Sequence, residues 1–202
     1  MTHEVPVEHR IDRVRDGLLI ASALAAAVPA ARLTCVLVDL AERGGGFDVH
    51  KLWYRFHAPP GRRLGVPTRG YDWWVEVDNT ARRARLSGSG RISRKWLAAM
   101  RALDSDAFVP LQPDTPTLEI EEALATGLAQ WPGGGDGAAG LRPISVDLSL
   151  VHLAGRDIWR LLCEGSDRQG GSGFLTTHVD AATGEVRLVK FDNAVAGPEP
   201  RR

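Results

Sequence analysis

Three side chains in the C-terminal half are of the types that acid–base chemistry uses: His152, His178 and Asp180. His178 and Asp180 stand two apart in a stretch of strand character and so share a face, and His152 on a neighbouring strand could complete a His–carboxylate pair. A hydrolase or transferase built on these three is the catalytic reading. A surface histidine beside a turn-stabilising aspartate is the plainer one. Nucleophilic catalysis needs Ser or Cys on a sharp turn with a base in reach. Gly88-Ser89-Gly90 and Gly171-Ser172-Gly173 lack the strand-turn-helix setting and read as loops. Cys35 and Cys163 lie inside apolar runs, where a thiol behaves as a small core hydrophobe. His50 and His57 are seven apart and no C-x-x-C or H-x-x-x-H occurs, so neither a metal site nor a cofactor is expected. The glycine triplets at 44–46 and 133–135 are not followed by Lys-Ser/Thr and are not phosphate loops.

Recognition chemistry is richer. Tyr71, Trp73 and Trp74 stand among Arg69, Arg82, Arg83 and Arg85, a mixture of aromatic faces and cations that single-stranded nucleic-acid binders use. On a strand Trp73 and Trp74 point to opposite faces, so one is core and the other faces outward. Trp53 falls on the same side as Lys51 and Arg55 and is a second outward aromatic. Protein interfaces are enriched in such Trp and Arg anchors. The partner-binding candidates are therefore Trp53, Arg55, Trp73 or Trp74, Arg82, Arg83 and Trp159.

The whole chain of 202 residues has no net charge, which disfavours a nucleic-acid footprint. Yet residues 1–105 carry 17 basic and 11 acidic groups, and residues 106–202 carry 8 and 14. Most of the positive excess lies in 55–101, so nucleic-acid binding there is the alternative to a protein partner. With 44% hydrophobic and 25% charged residues the composition is that of a globular domain, excluding disordered, collagenous and coiled-coil classes. Gly17 to Ala30 looks like a signal-peptide core, but residues 1–16 carry four acids against three arginines where a secretory leader needs a basic one. The stretch is too short to span a bilayer. It reads as an amphipathic helix, and the cytoplasm is the expected location, with export as the alternative.

The elements that must position these side chains follow from periodicity. A helix is expected over His9 to Val28, with Ile11, Val14, Leu18, Ala21, Ala25 and Val28 on one face. Strands follow at Leu33–Leu40, Phe47–Phe56, Tyr71–Val77 and Arg82–Leu86, then a helix at Ser93–Leu103. Residues 104–116 read as a Pro-rich linker. A helix at Thr117–Gln130 and strands at Ile144–Leu150, Ile158–Glu164, Phe174–Val179 and Val186–Phe191 complete the chain before a disordered tail, 193–202. The pattern reads as an α+β fold of two αβββ repeats, 9–103 with an extra helix and 117–192, whose helices pack on antiparallel sheets.

The string His178-Val-Asp-Ala-Ala-Thr-Gly-Glu-Val-Arg-Leu-Val-Lys, after a helix and two strands, resembles the ending of PepSY domains. The resemblance covers residues 117–191 closely and 11–86 in outline. It implies a cystatin-like helix-on-sheet module that binds or inhibits and does not catalyse. The layout is also similar to that of bacterial immunity proteins, which cover the active site of a toxin. A non-catalytic module that binds another protein, as an inhibitor or immunity protein, is therefore the expected function.

Overall fold

The computed structural model describes residues 4–26, 31–59, 62–63, 66–67, 70–92, 106, 108–112, 118–131, 142–166 and 172–194. The helix expected at Ser93–Leu103 lies outside them, as do most of the linker and the tail beyond residue 194.

A short strand, β1 (Glu4–Pro6), precedes α1 (Val14–Ala25), β2 (Arg32–Arg43) and β3 (Gly46–Ala58). After a two-residue pair, β4 (Arg62–Arg63) and β5 (Val66–Pro67), come β6 (Gly70–Asp78) and β7 (Arg83–Ile92). The second half runs α2 (Ile120–Leu128), β8 (Arg142–Leu153), β9 (Arg156–Ser166), β10 (Ser172–Asp180) and β11 (Val186–Ala194). All the long strands enter one sheet of nine, in the order β1-β7-β6-β3-β2-β8-β9-β10-β11, and every pair in it is antiparallel.

This corrects the expectation of an α+β fold of two αβββ repeats. Strand dominates, two helices are present among the described residues, and four strands of the large sheet follow each of them. The halves do not build separate sheets. They fuse because β2 pairs with β8, Cys35 to Asp39 against Val151 to Asp147. A strand apolar on both sides, as Leu33 to Val38 is, belongs inside a sheet and not at its edge.

The first helix is also shorter than its apolar spacing suggests. Arg13 has extended backbone (φ −120°, ψ 140°), so α1 starts at Val14. Ile11 is buried from outside the helix, held by Asn79. Its N–H donates to Asn79 Oδ1 (2.9 Å), while Asn79 Nδ2 donates to the carbonyls of Ile11 (2.9 Å) and Val49 (3.0 Å).

Directly paired residues on neighbouring antiparallel strands share a face, so the register sorts the sheet into two sides. One carries Val36, Leu52, Tyr54, Val75, Leu150, Trp159, Leu161 and Leu175, all buried, and both helices lie on it. Each helix docks through a glycine. A Cβ on Gly17 would collide with the Tyr54 hydroxyl, and one on Gly127 would come within 2.8 Å of Leu161 Cδ1. The Tyr54 hydroxyl sits there to donate to the Val14 carbonyl at 2.9 Å.

One carboxylate serves both helix N-termini. Glu119 closes a capping box on α2 with Glu122, and its Oε2 accepts the N–H of Val14, the first residue of α1, at 2.9 Å. Helix starts leave unpaired N–H groups and a partial positive charge, both of which a carboxylate satisfies.

Replacing Gly by Ala inside a helix ordinarily stabilises by about 0.5–1 kcal/mol. Gly17→Ala is expected to do the opposite, lowering stability by more than 1 kcal/mol in urea unfolding. The double variant with Tyr54→Phe, which removes the obstructing hydroxyl, should recover part of that loss relative to Tyr54→Phe alone.

Candidate protein-binding surface

The face of the sheet opposite the two described helices is where the recognition residues gather. One row of directly paired residues crosses eight strands: Arg85, Glu76, Trp53, Leu37, Ser149, Arg160, His178 and Leu188. Two rows further along β10 the same face presents Phe174, and Leu162 lies between on β9. Leu37 is 36% exposed, Leu162 40%, Leu188 41% and Phe174 45%. Four large apolar side chains open to solvent on one face of one sheet form a patch of the sort that marks a binding surface.

The seven expected partner-binding residues divide by face. Trp53 and Trp74 are half-buried on the open face, Trp53 paired with Leu37 and Trp74 with Arg55. Trp73 and Trp159 lie on the helix side, in the core. Trp159 is fully buried, and its indole N–H donates to the Leu118 carbonyl at 2.8 Å, tying the start of α2 to the sheet. Neither can meet a partner without unfolding. Arg55 is on the open face, but its Nε and Nη2 both donate to Asp72 Oδ2 (2.9 and 2.7 Å). Its guanidinium lies 4.6 Å from the ring centre of Phe108 and 5.6 Å from that of Trp74. Arg82 and Arg83 hold the N-terminal segment: Arg82 Nη1 donates to the Glu8 carbonyl (3.4 Å) and Arg83 lies 3.5 Å from Glu4.

The catalytic trio does not converge. His152 pairs through Nδ1 with Asp157 Oδ1 at 2.8 Å, in register with it. His152 shares the helix side with Leu150, two residues away, whereas His178 shares the open face with Arg160. Asp180 is spent on its turn, accepting the N–H groups of Ala182 and Thr183 (3.1 Å each) and Arg156 Nη1 (3.0 Å). Neither thiol is poised as a nucleophile. Burial pushes Cys35 up to about 11 and Cys163 up to about 12. Among the described residues no three His, Cys, Asp or Glu side chains gather as a metal site would need.

No family model matches this chain, and no curated protein does. Its fold is shared with a solved structure. The crystal structure of a "putative lipoprotein" from Clostridium difficile 630 is similar, with a TM-score of 0.50 and 13% identity over 92% of this chain and 97% of that one. At that identity the likeness is one of architecture alone. Among the described residues no helix is long and apolar enough to cross a membrane.

Leu37, Leu162, Phe174, Leu188 and Arg160 carry no mark in the sequence that sets them apart as surface residues. Leu161-Leu162 and Phe174-Leu175 place an apolar residue on each side of their strands, and nothing in such a pair tells which side a helix covers. The missing signal was pairing across strands, which no single strand carries.

A concavity of about 910 Å³ lies on the helix side where α1 and α2 begin, between Arg10, Arg13, Arg15, Phe47, Glu119 and Glu121. The position an anion would take at those helix starts is filled by the Glu119 carboxylate. Burial raises Glu119 above its usual value, against the pull of the Val14 amide and Arg13.

Across β3, β6 and β7 the open face sets carboxylates against cations. Glu76, 1% exposed, lies between Lys51 Nζ (2.9 Å) and Arg85 Nε (2.6 Å), and Lys51 also reaches Asp78 (3.1 Å). Burial would raise Asp72, Glu76, Asp78 and Asp180. Their donors outweigh it, so all four lie below the ordinary carboxylate range. A carboxyl lowered in the folded state contributes stability that is full above its unfolded value, near 4, and is lost as pH falls through the folded value. His178, lowered by burial and by Arg160, adds a smaller loss below its usual 6.5. Glu119 opposes these with the reverse sign. The urea midpoint is expected to fall gently below about pH 6.5 and steeply below about pH 4. Glu76→Gln should lower the neutral-pH midpoint and flatten the acid limb. An acid limb unchanged by Glu76→Gln would show that the cations on the open face do not stabilise the fold.

Proposed function

We propose that the protein acts by binding another protein through the open face of its sheet, as a cytoplasmic inhibitor or immunity-type module. The observation that carries this reading is the open face itself. A two-layer fold buries a sheet between elements, and here Leu37, Leu162, Phe174 and Leu188 stand exposed where a second layer would lie. Trp53 and Trp74 extend the patch across β3 and β6. A broad nine-stranded surface with aromatic and aliphatic side chains suits a macromolecular contact better than a small substrate, which needs a concave pocket with converging polar groups.

Two features support a non-catalytic role. His152, His178 and Asp180 fall on separate partners, and both thiols are held protonated by burial. The hairpin from His178 to Lys190 is consistent with the PepSY-like reading, since Gly184 takes a left-handed conformation (φ +74°) at the position of the Thr-Gly-Glu turn. The cytoplasmic assignment draws on α1, whose Val14, Gly17, Ala21 and Ala25 pack on the sheet as part of the fold.

The test is capture by the tagged full chain from a lysate of its own cells, at low and at moderate salt. One stoichiometric protein that survives salt is the expected result. Trp53→Ala and Leu162→Ser should each weaken its binding at least tenfold while leaving the unfolding midpoint within a few degrees of wild type. Retention of nucleic acid that elutes steeply with salt, or a protein indifferent to both substitutions, would overturn the proposal.

A further inference from the structure

Arg160, like Arg32 and Arg142 at the ends of β2 and β8, is an open-face cation with no carboxylate partner among the described residues, and of the three it alone sits mid-sheet. Lys51, Arg55, Arg83, Arg85 and Lys190 each lie within 3.5 Å of a carboxylate oxygen. Arg160 is exposed. Its position is central. On one side, across Ser149, lie Leu37 and Trp53, and on the other, across His178, lies Leu188, with Leu162 two residues along its own strand. An exposed guanidinium with Leu162 beside it on its own strand, and with Leu37 and Leu188 two strands away on either side, has the composition of an interface anchor.

Resting on the binding role proposed above, we infer that this part of the open face receives an amphipathic helix of the partner protein. The apolar stripe of that helix would cover Leu162, Phe174 and Leu188, and a carboxylate near its middle would meet Arg160. The dimensions fit. β9 and β11 are two strand spacings apart, roughly 10 Å, which is the width of one helix. The backbone groups within the face are already spent on neighbouring strands, so an added strand could bind only at an edge, whereas a helix brings its own hydrogen bonds satisfied. β9 and β10 carry α2 on their other side, so a docked helix would complete a three-layer arrangement over the second half. Asp39 and Asp147 face each other one row from Arg160. The partner helix should therefore be acidic over Arg160 and neutral or basic about one turn further on.

The probe is a displayed library of helical 16- to 20-residue peptides, selected on the full wild-type chain. Counter-selection uses a Phe174→Ser, Leu188→Ser variant confirmed to unfold as cooperatively as wild type. Enriched peptides are expected to share a Leu-rich stripe at i, i+3, i+4 and i+7 with a Glu or Asp inside it. Arg160→Glu should weaken them at least tenfold, and replacing the peptide acid by Lys should restore binding to that variant. Peptides that need Phe174 and Leu188 but bind Arg160→Glu as well as wild type would overturn the charge assignment and leave the binding face standing. A library that yields no peptide sensitive to any open-face substitution would overturn both.

Discussion

Five residue pairs hold the two halves of this protein in one sheet. The ladder from Cys35–Val151 to Asp39–Asp147 is the only strand contact between the half that ends at β7 and the half that begins at α2, among the described residues. Without it the row from Trp53 to Leu188 would be two unrelated surfaces, and Leu37 and Trp53 would not share a face with Arg160. The ladder ends where two aspartates face each other. Like charges directly opposite are destabilising, and His50 Nδ1, 3.3 Å from Asp39, offsets the repulsion on one side only. On the helix side Glu119 makes a second link between the halves, joining the first amide of α1 to the cap of α2. The joint is therefore clamped from one face and left open on the other.

The halves solve the same packing problem with the same devices. Each lays a helix on its strands through a glycine, Gly17 over Tyr54 and Gly127 over Leu161, because a helix backbone can approach a large side chain that closely only where no Cβ intervenes. Each closes its outer hairpin with a Val-Asp turn. Asp78 accepts the N–H groups of Thr80 and Ala81, and Asp180 those of Ala182 and Thr183. What differs is the opposite face. In the first half it is a lattice of cations and carboxylates interleaved with tryptophans. In the second it is leucine and phenylalanine around Arg160.

Much of this was legible in order along the chain and little of it across the chain. Alternation located the eight long strands, though it ended β7 at Leu86 where the strand runs to Ile92, and Gly184 marked a turn because glycine takes the left-handed conformation there at no steric cost. Helix length was overstated at His9–Val28 because Ile11 is buried through Asn79, a contact 68 residues away that mimics helical spacing. The count of sheets could not be read, since β2 is apolar on both sides and its second neighbour, β8, lies more than a hundred residues later. Trp73 and Trp74 were correctly set on opposite faces by period alone. Which face is core required knowing where the helices lie.

The same limit explains why Trp159 was taken for a partner anchor and Arg160 was passed over. Side by side on β9, one must face each way. An indole has a single donor, which the Leu118 carbonyl satisfies in the core, so tryptophan can be buried there at no polar cost. A guanidinium has five donors and a fixed charge, and burying it is costly unless every one of them is satisfied. Desolvation thus decides the orientation of β9: tryptophan inward, arginine outward. Every other residue of the strand then follows by alternation, and Leu162 is carried to the open face with Arg160. The exposed leucine and the free arginine have one cause, and a partner that meets the one must meet the other.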